Sequence, residues 1–131
     1  MSYKISIIEK LVLKMTNIFK FLFNLLFDEK KVYTYLVASR CKKVGIRLVV
    51  NGECKGFNKN VTLGDFVNFN GCEILGTGEV IIGDYFHSGR FLNIITQNHR
   101  YENADSIPYD KVRIRKKTVI KNFVGLVKVL H

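Results

Sequence analysis

Between Ile5 and Phe27 the apolar and polar positions follow a helical rhythm. Lys10, Lys14, Asn17 and Asn24 form a polar stripe, and Leu11, Met15, Ile18, Leu22, Leu25 and Leu26 lie on the other side. That period predicts an amphipathic helix over 5–27 with a wide apolar face. A second, shorter helix is expected over about 29–43, ending at Gly45. Beyond Gly45 the helical period disappears. Short β-branched runs alternate with Gly, Asn and Asp, which is the pattern of short strands and turns. The chain therefore divides into an N-terminal helical segment, 1–44, and a β domain, 45–131.

Within the β domain the pattern repeats. "TLGDFVNF" (62–69), "IIGDYFHS" (81–88) and "VIKNFVGL" (119–126) align on Leu63, Ile82 and Ile120, at intervals of 19 and 38 residues. In the same register Phe57, Leu63, Phe69 and Leu75 fall six apart. A six-residue period suits neither a helix nor a simple hairpin. It suits short strands that turn a corner every sixth residue, three sides making a triangular coil of about 18 residues. The inward residue on each side stacks on its counterpart one coil away. The Gly after it is expected to supply the corner, and Asp or Asn to tolerate the turn backbone. Cys54 and Cys72, 18 apart, are expected to stack on adjacent coils. An irregular β-sandwich is the competing arrangement.

Charge refines this picture. The 131 residues carry a net charge of +10, with twelve Lys/Arg against four Asp/Glu in residues 1–60 and one against four in 61–99. Basic flanks attract anionic partners or simply keep a surface soluble. Nucleic acid is disfavoured, because the basic residues are not interleaved with an aromatic stacking platform. The charges within 5–27 argue against a membrane-spanning helix, and "DEKK" follows where a signal peptide would be cleaved. The same segment can contact a membrane surface or pack on protein. Cys41, Cys54 and Cys72 are odd in number and lack a C-x-x-C pair. A disulfide framework and a zinc site are therefore not expected, and a reduced, cytoplasmic setting fits, with or without membrane association.

The chemistry-bearing stretch is "TQNHRYENADSIPYD" (96–110), a polar excursion after an apolar run that returns as "RIRKKTVIKNFV". Together with the Leu-Gly-Asp-Phe-Val, Ile-Gly-Asp-Tyr-Phe and Ile-Lys-Asn-Phe-Val hexads and "NFN" at 68–70, it resembles the hexapeptide-repeat acyltransferases. The likeness is to the maltose/galactoside O-acetyltransferase and streptogramin acetyltransferase branch, and it covers roughly residues 45–124. The resemblance implies a mainly β fold, a left-handed parallel β-helix preceded by the amphipathic helical segment, with a loop excursion at 100–115. It also implies transfer of an acetyl group from acetyl-CoA to a hydroxyl of a saccharide or similar acceptor, without a metal, by a homotrimer.

By the same resemblance His99 is the general base. A hydroxyl is a poor nucleophile until a base takes its proton during attack, and imidazole suits that task. Asn68 matches the family's acceptor-binding asparagine, whose amide both donates and accepts. Tyr85 is a candidate to stack on a sugar, or else covers an apolar edge. Tyr101, Glu102 and Tyr109 of the excursion are candidates to line the acceptor pocket between subunits. His87 reads as structural, and the role of the family's nearby Asp is not carried over to Glu73. No residue is assigned to CoA. In the family further coils follow and hold much of the CoA site, whereas "GLVKVLH" runs here to His131. The β-helix is thus expected to be incomplete at its C-terminus. Two alternatives stand beside the enzyme: a catalytically inactive truncated scaffold, and a basic membrane-surface-binding module.

Overall fold

The computed structural model describes residues 7–26, 28–100 and 111–126. Two helices come first, α1 (Ile7–Leu26) and α2 (Glu29–Arg40). The side chain of Asp28 accepts from the Lys30 N–H and caps the start of α2, satisfying a donor that the first turn cannot pair internally. The helix stops at Arg40, earlier than the 43 expected from sequence. The reason is competition: the Lys42 N–H donates to Val61 O at 2.8 Å, and Lys43–Val44 pair with Thr62–Leu63. Strand structure therefore begins two residues before Gly45.

The remainder is mainly β, with parallel strands stacked in sheets. Along the chain run β1 (Lys43–Val44), β2 (Val49–Val50), β3 (Cys54–Lys55), β4 (Val61–Leu63), β5 (Asn68–Phe69), β6 (Cys72–Leu75), β7 (Val80–Ile82), β8 (His87–Ser88) and β9 (Leu92–Ile95). Then come β10 (Gln97–His99), β11 (Arg113–Arg115), β12 (Thr118–Ile120) and β13 (Gly125–Leu126). They form sheets in the orders β1-β4-β7-β12, β13-β8-β5-β2 and β3-β6-β9, with β10 and β11 as a separate pair. The chain visits the three larger sheets in a fixed rotation, and each strand pairs in parallel with the next visitor to its own sheet.

Register follows the repeat. Leu63 stands opposite Ile82, and Ile82 opposite Ile120. Cys54 stands opposite Cys72. The 38-residue interval is a single rotation lengthened by an antiparallel hairpin, since β7 pairs directly with β12. Val61, Leu63, Phe69, Val80, Ile82 and Phe86 are fully buried in one cluster, and α2 adds Val37 to it. Phe69 sits between Phe57, at 5.3 Å and edge-on, and Phe86, at 5.5 Å. The strict six-residue period fails once. Leu75 is 42% exposed and Ile74 takes the inward place. Gly71 turns with φ 127° just before β6, and β6 then alternates inward at Cys72 and Ile74.

The corners are built differently from the sequence expectation. The left-handed residue is the aromatic of each hexad, with φ of 58° at Phe66, 57° at Tyr85 and 59° at Phe123. Left-handed backbone at a bulky residue costs on the order of 1–3 kcal/mol. Ring stacking offsets part of that cost: Phe66 and Tyr85 lie 4.9 Å apart and Tyr85 and Phe123 5.0 Å, both nearly parallel. This is close to the spacing of neighbouring strands, so one ring per strand forms a continuous column. Arg47, itself at φ 56°, places its guanidinium 5.8 Å from the Phe66 ring centre.

Gly64 and Gly83 serve close approach instead of positive φ. A Cβ at Gly64 would meet Gly83 C at 2.7 Å and Asp84 N at 2.9 Å; one at Gly83 would meet Asn122 N and Lys121 C at 2.9 Å. That closeness lets side chains cap the corners in series. Asp65 Oδ1 accepts from the Ile46 N–H, Asp84 Oδ1 from the Asp65 N–H and Asn122 Oδ1 from the Asp84 N–H, at 2.8–2.9 Å. Asp84→Ala should therefore cost about 1–2 kcal/mol in a denaturant melt by stranding the Asp65 N–H. Asp84→Asn, which keeps the oxygen as Asn122 does, should cost less. Equal losses from the two variants would contradict the capping role.

Candidate functional site

Polar side chains gather on the sheet formed by β2, β5, β8 and β13. Asn68 stands opposite His87 in register. Asn51 Nδ2 donates to Asn68 Oδ1 at 3.2 Å and to Asn70 Oδ1 at 2.9 Å. Asn70 Nδ2 in turn donates to Ser88 O at 3.0 Å and lies 3.3 Å from His87 Nε2. An amide nitrogen only donates, so this contact is a hydrogen bond in the tautomer that leaves Nε2 as the acceptor. Buried Ser88 offers its hydroxyl oxygen to the Asn70 N–H at 3.1 Å. The result is a row of amides and one imidazole held by mutual hydrogen bonds. Asn51, Asn70 and His87 were not singled out as functional from sequence. The legible signal was the recurrence of Asn at 51, 68 and 70, close to the length of one rotation.

A cavity of about 340 Å³ opens beside this row and shares Asn70 with it. Glu53, Lys55, Glu73, Arg90 and Phe91 also line it, and Lys55 pairs with Glu53 at 3.3 Å. Its charged rim of both signs suits a polar ligand bearing donors and acceptors. Glu73, close to Asn68 in sequence, thus faces a cavity instead of Asn68.

His99 is positioned by a different device. Thr96 is fully buried. Its N–H and Oγ1 both donate to Leu75 O, at 2.8 and 3.0 Å; its Oγ1 accepts from Gly78 N and its carbonyl from Lys116 N. These bonds fix where the chain leaves the stacked sheets. The hairpin then runs Gln97↔Arg115, Asn98↔Ile114 and His99↔Arg113, and Arg100 N–H donates to Val112 O at 3.0 Å. His99 is exposed near the far end of the paired segment. The structure therefore puts Asn68 and His99 on different elements, Asn68 next to His87 and His99 on the hairpin. Tyr85 has its two ring faces against Phe66 and Phe123, so it offers a ligand its edge and hydroxyl. Tyr101, Glu102 and Tyr109 lie outside the described residues.

The three cysteines are free thiols. Burial raises Cys41 and Cys54 from about 9.0 to about 11, and Cys72 to about 12. Burial favours the neutral thiol, so the folded chain keeps protons that the unfolded chain releases above pH 9. The stabilisation from these groups is complete below that pH and falls as pH climbs from about 9 towards 11–12. Native thiols should resist alkylation at pH 8 and react promptly once urea unfolds the chain. Equal native and denatured rates would contradict this. Among the described residues no group of three or more His, Cys, Asp or Glu comes together as a metal site.

No protein-family model, curated protein or solved structure matches the chain.

Proposed function

We propose that the chain is an O-acyltransferase of the hexapeptide-repeat type, a left-handed parallel β-helix that moves an acetyl group from acetyl-CoA to a hydroxyl of a saccharide or similar acceptor. The observation that carries this reading is the combination of a three-sheet rotation, with Leu63, Ile82 and Ile120 in register, and a hairpin that leaves it directly after Thr96. It is the arrangement expected if a regular coil ends by presenting His99 on an excursion.

In this reading His99 takes the proton of the acceptor hydroxyl as its oxygen attacks the thioester carbonyl. A backbone N–H stabilises the oxyanion. The carbon–sulfur bond then breaks, and the CoA thiolate recovers the proton from the imidazolium. The amide of Asn68 holds acceptor hydroxyls, joined by the edge of Tyr85 and by Tyr101, Glu102 and Tyr109. Since Asn68 and His99 stand on different elements, a homotrimer that sets the hairpin of one subunit beside the Asn68 row of the next completes the site. Three free thiols, two of them buried, favour a cytoplasmic setting.

Incubation with acetyl-CoA and a panel of saccharides tests the reading by mass spectrometry. The expected product is an acceptor heavier by one acetyl group. Acetyl-CoA left intact with every acceptor would count against it.

A further inference from the structure

α1 carries an apolar face that no other described element buries. At 3.6 residues per turn, Ile8, Leu11, Met15, Phe19, Leu22 and Leu26 share one side of the helix, and all of them are exposed. None belongs to the buried cluster or packs against it. Lys10, Lys14, Asn17, Lys20 and Asn24 share the other side. The apolar face spans about half the circumference, wider than the seam of a paired coiled coil.

Charge selects what covers that face. α1 contains three lysines and one acidic residue, and α2 adds Lys30 and Lys31 near its start. Twelve basic against four acidic residues in 1–60 make this end of the chain strongly cationic. A second copy docking here would bring two such segments together against their mutual repulsion. Anionic lipid headgroups would relieve the same charge, and lysine stems can lie along apolar surface while their ammonium groups reach the phosphates. Phe on one side and Lys on the other is the composition of a helix lying in a lipid interface. No described helix is long and apolar enough to cross a membrane, so a helix of this kind held by lipid would lie in the plane of the surface.

We propose that α1 is an in-plane anchor seating the chain on an anionic bilayer surface. The inference does not rest on the acyltransferase reading. The chain has no tryptophan, so Phe19→Trp supplies a single reporter. The full chain carrying it is mixed with vesicles of phosphatidylcholine alone or with phosphatidylglycerol, at low and high salt. The expected result is a blue shift and co-sedimentation with phosphatidylglycerol vesicles, weakened by salt. Lys10→Gln/Lys14→Gln/Lys20→Gln should weaken partitioning on the order of 100-fold. Leu11→Asp/Leu22→Asp should abolish it while the circular dichroism of the β domain stays unchanged, because both residues are exposed. Absent vesicle binding overturns the proposal, as does binding indifferent to lipid charge and to the lysine changes. A Leu11→Asp/Leu22→Asp variant that lowers the oligomer mass yet still sediments with vesicles also overturns it, making a second copy the occupant.

Discussion

Replacing Gly56 by Ala should destabilise the fold by about 4 kcal/mol, combining a strained backbone with a steric clash. Gly56 follows β3 with φ 76°, a conformation that a Cβ disfavours. The added carbon would also run into the backbone of Ile74, meeting its carbonyl oxygen, its carbonyl carbon at 2.9 Å and its nitrogen at 3.2 Å. Ile74 lies in the middle of β6 and is buried, so the obstacle cannot swing aside as a side chain could. For a chain of this size the melting temperature should fall by about 15 °C. Against a total stability of about 5–15 kcal/mol, partial unfolding at working temperature is within reach. Gly125→Ala is the control: nothing lies within 4 Å of its added Cβ, and the change should stay within about 0.5 kcal/mol. If Gly56→Ala melted with the parent chain, neighbouring rotations could not be as closely packed as described.

The stacking itself was legible in the chain because each inward position must refill the same slot one rotation later. Leu63, Ile82 and Ile120 announced this, and Cys54 and Cys72 became register partners for the same reason. The α1 helix was legible from its period, expected over 5–27 and observed over Ile7–Leu26. The corner chemistry was not. Glycine next to Asp invites the expectation of positive φ at the glycine, yet Phe66, Tyr85 and Phe123 adopt it. What decides is contact between rotations: glycine admits the neighbouring Asp or Asn cap, and the aromatic gains a ring above or below it. Leu75 departs from the six-residue period because β6, which follows the φ 127° turn at Gly71, alternates with Cys72 and Ile74 inward. The Asn51–Asn70–His87 row depends on bonds between residues 17 to 19 apart. The family resemblance pointed to Asn68 alone, and spatial proximity joined Asn68 to His87.

The second large effect concerns His99. General-base assistance contributes about 100- to 10,000-fold to a rate, so with His99 as the proposed base His99→Ala should lose turnover within that range. The loss should be far larger in the rate than in stability, because His99 is exposed on the β10–β11 hairpin and the bonds that fix where the hairpin starts belong to Thr96. Unaltered melting of His99→Ala would separate a chemical role from a structural one. Within the acyl-transfer reading the variant also distinguishes His99 from His87, whose Nε2 is already engaged by Asn70.

The most direct test of the account is therefore free-thiol release from acetyl-CoA in the presence of an acceptor, measured for the parent chain and for His99→Ala under identical conditions. Acceptor-dependent release by the parent chain is expected, with a loss of at least about 100-fold in the variant. Equal rates from the two proteins, or no release by the parent chain with any hydroxyl acceptor, would contradict it.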